Sequence, residues 1–431
     1  MSSIEWTNEL EEKTVAHFKE LIRINTSAPA GNETEAARYI AEVLRAEGIE
    51  STIVESEPGR GNLLAKLKGA KSQEPPILLI SHLDVVPASE EDWMHPPFAA
   101  VEEEGWIYGR GALDTKNLVA MELMAFILLK RASTTNALNR DVYFIATADE
   151  EQGSRKGMEY LVREHPEWFP GGWVINEGGG FYLADGDKDY MLITAGEKGV
   201  CKATLLATGQ GGHASCPPEG QAIEKLARAI EHITAYTFPE EAVGVGKRFL
   251  DMIGEQQMAS DPTLQHLRHY VLRNSVTVNS VEVGQRINVI AYKAQAQIEF
   301  RLLPHVSQSA VEELLQKWCT AFGISYQIDS FEPGFESRLE DSALVTAFAF
   351  RLHEHDPGVT LLPILALGRT DGRFLGTRGS DVYGFSPLLP QLPFADVLRK
   401  VHNHNEAITV GSLLFGTKVI AETLRQICLD S

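Results

Sequence analysis

The chain has 431 residues, 44% hydrophobic and 23% charged, with a formal net charge of -20. That length exceeds what one simple core fills, so two domains are expected, and the composition is that of a soluble globular protein. So acidic a surface repels phosphate backbones and anionic lipid, which argues against nucleic-acid and membrane partners. The start, Met1-Ser2-Ser3-Ile4-Glu5-Trp6, lacks the basic and apolar segments of a secretory signal. The longest apolar stretch, around Leu118–Leu129, contains Glu122 and is too short to span a bilayer. Cys201, Cys216, Cys319 and Cys428 are scattered, with no Cys-x-x-Cys pair, so free thiols in a cytoplasmic protein are expected.

Glu5–Ile24 and Thr34–Glu47 carry apolar residues at helical spacing. Short apolar runs follow at Leu63–Leu67, Ile77–Ile80, Val142–Ala146 and Val174–Ile175, separated by helical stretches such as Lys116–Leu129 and Lys156–Arg163. Strands alternating with helices predict an α/β fold with a mostly parallel central sheet flanked by helices. The pattern changes near Ala195-Gly196-Glu197-Lys198-Gly199. Val200–Leu206, a helix over Gln221–Tyr236, and alternating runs at Val276–Val283 and Ala294–Leu302 form a compact α+β unit with antiparallel strands. The expected organisation is therefore a discontinuous catalytic domain, residues 1–195 and 309–431, interrupted by an inserted domain at 196–308. Gly411–Cys428 reads as a closing helix.

Five short pieces place metal-type side chains just past apolar runs or before a helix. In open α/β sheets ligands bind beyond the carboxyl ends of strands. Ser81-His82-Leu83-Asp84 follows Ile77–Ile80; His82 suits a metal, and Asp84 suits the support of its ring. Asp114 follows Gly109-Arg110-Gly111 and precedes a helix; taken alone it is an N-cap, but beside His82 it is a candidate bridging carboxylate. Glu150-Glu151 end the run Val142–Ala146, where adjacent acids are costly without a cation; in an extended segment they face opposite ways, one for metal and one for a proton. Glu177 sits in Asn176-Glu177-Gly178-Gly179-Gly180. His402 and His404 compete in His402-Asn403-His404-Asn405-Glu406, and position alone does not choose. His353-Glu354-His355-Asp356 is a decoy that ends a helical run and reads as solvated. Two His with several carboxylates suit zinc, and also cobalt or manganese. Such a pair of ions acidifies a water between them and polarises a carbonyl, which is amide hydrolysis without a covalent intermediate.

These pieces, in this order from Ser81 to Glu406, resemble the dinuclear-zinc exopeptidases and amidohydrolases that include aminoacylase, acetylornithine deacetylase, succinyl-diaminopimelate desuccinylase, glutamate carboxypeptidase and carnosinase-type dipeptidases. The resemblance implies that His82 and Glu177 hold one Zn2+, Glu151 and His402 the other, and Asp114 bridges them. His402 is preferred over His404 because the family's histidine lies four residues before the Glu, here Glu406. Glu150 would be the general base, Asp84 would orient His82, and a cis peptide would follow Asp114. The inserted domain would be a lid and dimerisation domain. Its His213, in Gly211-Gly212-His213-Ala214-Ser215, would steady the oxyanion in the partner subunit's site of a homodimer. Asn288 would contact substrate, and Arg301, in Glu299-Phe300-Arg301, would grip a substrate carboxylate. Ala291 and Arg369 depart from the family's pattern, which marks substrate loops of this chain's own kind.

The implied function is metal-dependent hydrolysis of amide or peptide bonds next to a free carboxylate, in N-acyl amino acids, dipeptides or small peptides. Tyr383-Gly384-Phe385-Ser386-Pro387 looks more like the carboxypeptidase and N-acyl-amino-acid hydrolase branch than the biosynthetic deacylases. The competing readings are an aminopeptidase, which would recognise a free amine, and a catalytically silent binding protein on the same fold. Silent relatives typically lose the base or a ligand, and here every expected residue is present.

Overall fold

A computed structural model of the chain describes residues 6–29, 31–70, 74–185, 188–253, 261–284 and 286–429. The chain divides into two compact units, one of residues 1–195 and 337–431, the other of 196–336.

The first unit is built on a mixed sheet. Its strand order runs Ser51–Glu55, Gly61–Leu67, Val142–Thr147, Ile77–His82, Trp173–Asn176, Asp381–Gly384, Lys188–Glu197. The four central strands are mutually parallel. Gly61–Leu67 pairs antiparallel with Val142–Thr147, and Lys188–Glu197 antiparallel with Asp381–Gly384. The expected mostly parallel sheet is therefore parallel at its centre and antiparallel toward its edges. The centre reads as unbroken apolar runs because it is covered on both faces: every residue of Ile77–His82 and Val142–Thr147 is buried.

Helix Lys116–Ala132 is apolar all round and buried from Lys116 to Leu129, as an interior helix must be. The closing helix Val410–Cys428 packs against it, as does Asn8–Arg23. That first helix starts at Asn8, where Thr7 caps it by accepting the Leu10 amide; the expected start at Glu5 lies outside the described residues. Among the elements not foreseen is a small sheet of Val101–Glu103, Trp106–Tyr108 and Ala407–Thr409, which ties the 109–114 loop to the 402–406 turn.

The second unit is a four-stranded antiparallel sheet in the order Ser275–Glu282, Lys293–Leu302, Gly199–Thr208, Ser325–Glu332. Helices Ala222–Ala235 and Gln308–Phe322 bury its inner face around Leu205, Ile298, Phe300, Leu226, Leu315 and Trp318. The unit ends at Glu336 instead of 308, because Ser325–Glu332 pairs along Gly199–Thr208 and brings helix Gln308–Phe322 with it. Among the described residues no helix is long and apolar enough to cross a membrane, and all four cysteines are free.

Candidate metal centre

His82 is the last residue of its central strand and is almost fully buried. Its Nε2 lies 3.0 Å from Asp114 Oδ1 and 3.5 Å from Glu177 Oε2. On the other side of the same carboxylate, Asp114 Oδ2 lies 3.0 Å from His402 Nε2, and that nitrogen is 3.2 Å from Glu151 Oε2. Two ligand groups result, His82–Asp114–Glu177 and Asp114–Glu151–His402, each with its donor atoms within 4.8 Å of one another. Asp114 belongs to both. His404 is exposed and in neither group, and its backbone amide is bonded to the Asn403 side chain. The decoy is also elsewhere: His353 and Glu354 are exposed, and His355 packs on Phe415 beside Glu422.

The backbone explains why these side chains converge. Gly111 has φ +87, and a Cβ there would sit 2.8 Å from Val85 Cγ1, so only glycine lets the chain turn into Asp114. Thr115, not Asp114, takes the N-cap position of the following helix, which leaves the Asp114 carboxylate free for the two histidines; the Asp114–Thr115 peptide is cis. Gly179 packs so tightly on the next strand that a Cβ would lie 2.2 Å from the Gly384 carbonyl, so the glycines after Glu177 are demanded by contact and not only by the turn.

Glu150 and Glu151 differ in direction for a reason other than strand alternation. Asp149 has φ +66, and Glu150–Gln152 then form a single 3-10 turn. Asp149 is held there by the buried Arg60, 2.5 Å away, which also faces Glu33 at 3.2 Å. The turn sends Glu151 to His402. Glu150 instead lies 3.8 Å from Arg373, whose guanidinium is bonded to Thr370 O, Gly153 O and Ser154 Oγ.

Asp84 has a second task beside the expected one. Its carboxylate is 3.6 Å from the His82 ring, whereas its backbone carbonyl is 2.9 Å from His82 Nδ1. The carboxylate instead accepts the amides of Glu150 at 3.0 Å and Glu151 at 3.1 Å. The carbonyl orients the ring, and the carboxylate fixes the turn of the two glutamates.

The charges of the site act strongly on one another. Burial raises Glu177 to about 7 against the pull of His82, and burial with the charge of Glu177 raises Glu150 well above the ordinary carboxylate value. Asp114 and then Glu151 raise His402 to about 10. Burial opposes a charge on His82, but Glu177 and Asp114 outweigh it and raise it. Glu151 Oε1 is buried without a hydrogen-bond partner. Three carboxylates and two imidazoles, with one carboxylate oxygen left over, form a donor set that fits two divalent cations of the zinc type.

The remaining predicted residues belong to the second unit. His213 and Asn288 are exposed and brought side by side by a two-residue ladder, in which His213 pairs with Val289 and the Ala214 amide donates to Asn288 O. The His213 ring contacts Ser215 Oγ at 2.8 Å. Arg301 is part-exposed and paired with Glu299 at 2.8 Å. Sequence reasoning missed the supporting charges: Arg60, Asp149, Arg373 and the role of Glu406. Glu406 and Asp149 stood inside the chemistry-bearing pieces and Arg373 closed a quoted loop, whereas Arg60 carried no signal.

This fold and donor set define a metal-dependent hydrolase. The model of peptidase family M20/M25/M40 matches residues 78–426, and the chain belongs to that family. It is 30% identical to aminoacylase-1 of Mus musculus over 95% of this chain and 94% of that protein. It is 26% identical to the human N-fatty-acyl-amino acid synthase/hydrolase PM20D1, over 94% of this chain and 84% of that protein. Its fold matches the M20 family metallo-carboxypeptidase Sso-CP2 of Sulfolobus solfataricus with a TM-score of 0.70 at 20% identity, covering 97% of this chain and 99% of the other.

Proposed function

We propose that the protein is a dinuclear zinc hydrolase of amide or peptide bonds next to a free carboxylate, acting on N-acyl amino acids, dipeptides or small peptides. The observation that carries this is the shared Asp114 carboxylate, with a histidine 3.0 Å from each oxygen and one further carboxylate completing each group. His82, Asp114 and Glu177 would hold one ion and Asp114, Glu151 and His402 the other. When bound, two such cations supply Lewis acidity that polarises a carbonyl oxygen and acidifies water. Glu150, which belongs to neither group, takes the proton from the attacking water and delivers it to the leaving amine nitrogen. Arg373 and the Asp84 carboxylate keep the Glu150 side chain and amide in place for both transfers.

Arg301 holds the substrate carboxylate, Asn288 contacts substrate, and His213 steadies the oxyanion in the site of a second copy in a homodimer. The 30% identity to aminoacylase-1 supports an acyl-amino-acid substrate, and four free thiols suit a cytoplasmic setting. Glu150→Ala is expected to abolish turnover of an acyl-amino-acid and dipeptide panel while metal content stays at two per chain. Retained turnover sinks the assignment of the base, and cleavage of C-amidated substrates only would reverse the choice of a carboxylate-recognising enzyme.

A further inference from the structure

A buried ion pair behind the centre connects one ligand group to the fold more tightly than the other. Glu406 is fully buried and its carboxylate is saturated. Oε2 accepts Arg110 Nη1 at 2.6 Å and the Gly111 amide at 3.2 Å; Oε1 accepts the Leu113 amide at 2.6 Å and the Asp114 amide at 3.1 Å. All four donors come from the short stretch that ends in the bridging carboxylate. The Glu406 carbonyl also accepts the Gly109 amide at 3.0 Å. Arg110 is sealed from above by Trp93, 5.2 Å from its guanidinium.

Upstream, Glu406 terminates the turn that carries His402. That turn is also held by the residues just before it, where the Asn403 amide donates to Lys400 O at 3.1 Å and the Asn403 side chain to Arg399 O at 3.1 Å. His402 itself has φ +61, and its side chain is 53% exposed. A further anchor is Asn405 Oδ1, which accepts the Met94 amide at 2.7 Å. His82, by contrast, is set by its strand and by the Asp84 carbonyl, and Glu177 by its own glycine run.

We infer that Glu406 is a positioning residue that selectively sets the affinity of the Asp114–Glu151–His402 ion. Two of the three ligands of that group depend on the Glu406 contacts, against one of three in the His82–Asp114–Glu177 group. Glu406 binds no metal, because each of its oxygens is already occupied by donors of the chain. The inference rests on the two-ion reading above. Partners of this kind behind a metal ligand are worth roughly 10–100-fold in metal affinity.

The test is zinc titration of wild type, Glu406→Gln and Glu406→Asp in buffers of graded free Zn2+. Metal content is read by mass spectrometry, the retained ion is located by anomalous diffraction, and melting curves are recorded alongside. Both variants are expected to hold one ion, at His82–Asp114–Glu177, across the zinc range where wild type holds two. The second ion should return only at roughly 10–100-fold higher zinc. Two ions at wild-type affinity in either variant, or parallel loss of both ions, overturns the inference. So does loss of the fold in both variants, which would make Glu406 structural only. Wild type that never binds a second ion overturns the two-ion reading instead.

Discussion

Replacing Asp84 with Asn separates the two tasks that residue performs. The side chain keeps its shape and its backbone carbonyl, so the contact to His82 Nδ1 at 2.9 Å is untouched. The carboxylate, however, now offers one oxygen and one NH2 to the amides of Glu150 and Glu151. One bond falls from charge-assisted to neutral, a loss of about 1 kcal/mol, and one buried N–H loses its acceptor, which costs about 1–3 kcal/mol. The sum is about 2–4 kcal/mol, and each 1.4 kcal/mol spent on the placement of Glu150 is a tenfold change in rate. A fall in kcat of roughly 30- to 1,000-fold is therefore expected. The assay is steady-state kinetics on an acyl-amino acid at saturating zinc, with the ions located by anomalous diffraction. The ion at His82 should persist and the one at Glu151 should weaken. Loss of the His82 ion with normal handling by Glu150 would show that the carboxylate serves the ring after all.

Chelation should lower the melting temperature, because Asp114, Glu150, Glu151 and Glu177 are left to repel one another, and zinc at 1,000 times its Kd should restore about 4 kcal/mol; calorimetry with and without EDTA checks this, and Asp114→Asn should blunt it. Arg301→Met should raise KM for substrates with a free carboxylate by tenfold or more at little change in kcat, leaving C-amidated analogues unaffected; an equal loss on both would remove Arg301 from substrate recognition. Burial, helped by Arg301, lowers Lys198 from 10.5 to about 8. The folded chain thus binds fewer protons than the unfolded one between those values, and its stability relative to Lys198→Met should rise with pH from about 8 to 10.5. Denaturant unfolding of both proteins across that range measures the difference, and a flat difference refutes the shift.

The ligands were legible because buried strands announce themselves. Ile77–Ile80 and Val142–Ala146 are apolar runs whose ends place His82 and Glu150-Glu151 at the sheet's functional edge. Asp114 and Glu177 were legible through their flanking glycines, whose need for close packing is visible as composition. The direction of Glu150 was not legible, since it depends on Asp149 being held at positive φ by Arg60, 89 residues away. Nor was the grip of Glu406 on residues 111–114, almost 300 positions apart. The three-stranded sheet escaped notice because three-residue strands leave no alternation to read. The insertion's end was misplaced for a related reason. Ser325–Glu332 is an edge strand, part-buried and polar on its other face, and periodicity does not reveal which sheet such a strand joins.

The order in which the chain is made gives the shared aspartate another meaning. His82, Asp114 and Glu177 all precede residue 196, where the second unit begins, whereas His402 lies beyond its end. A polypeptide stopped anywhere within the second unit already owns every ligand of one group and lacks the last ligand of the other. On the two-ion reading, the first group draws on no residue made after the second unit, whereas the second group is complete only once His402 has been made.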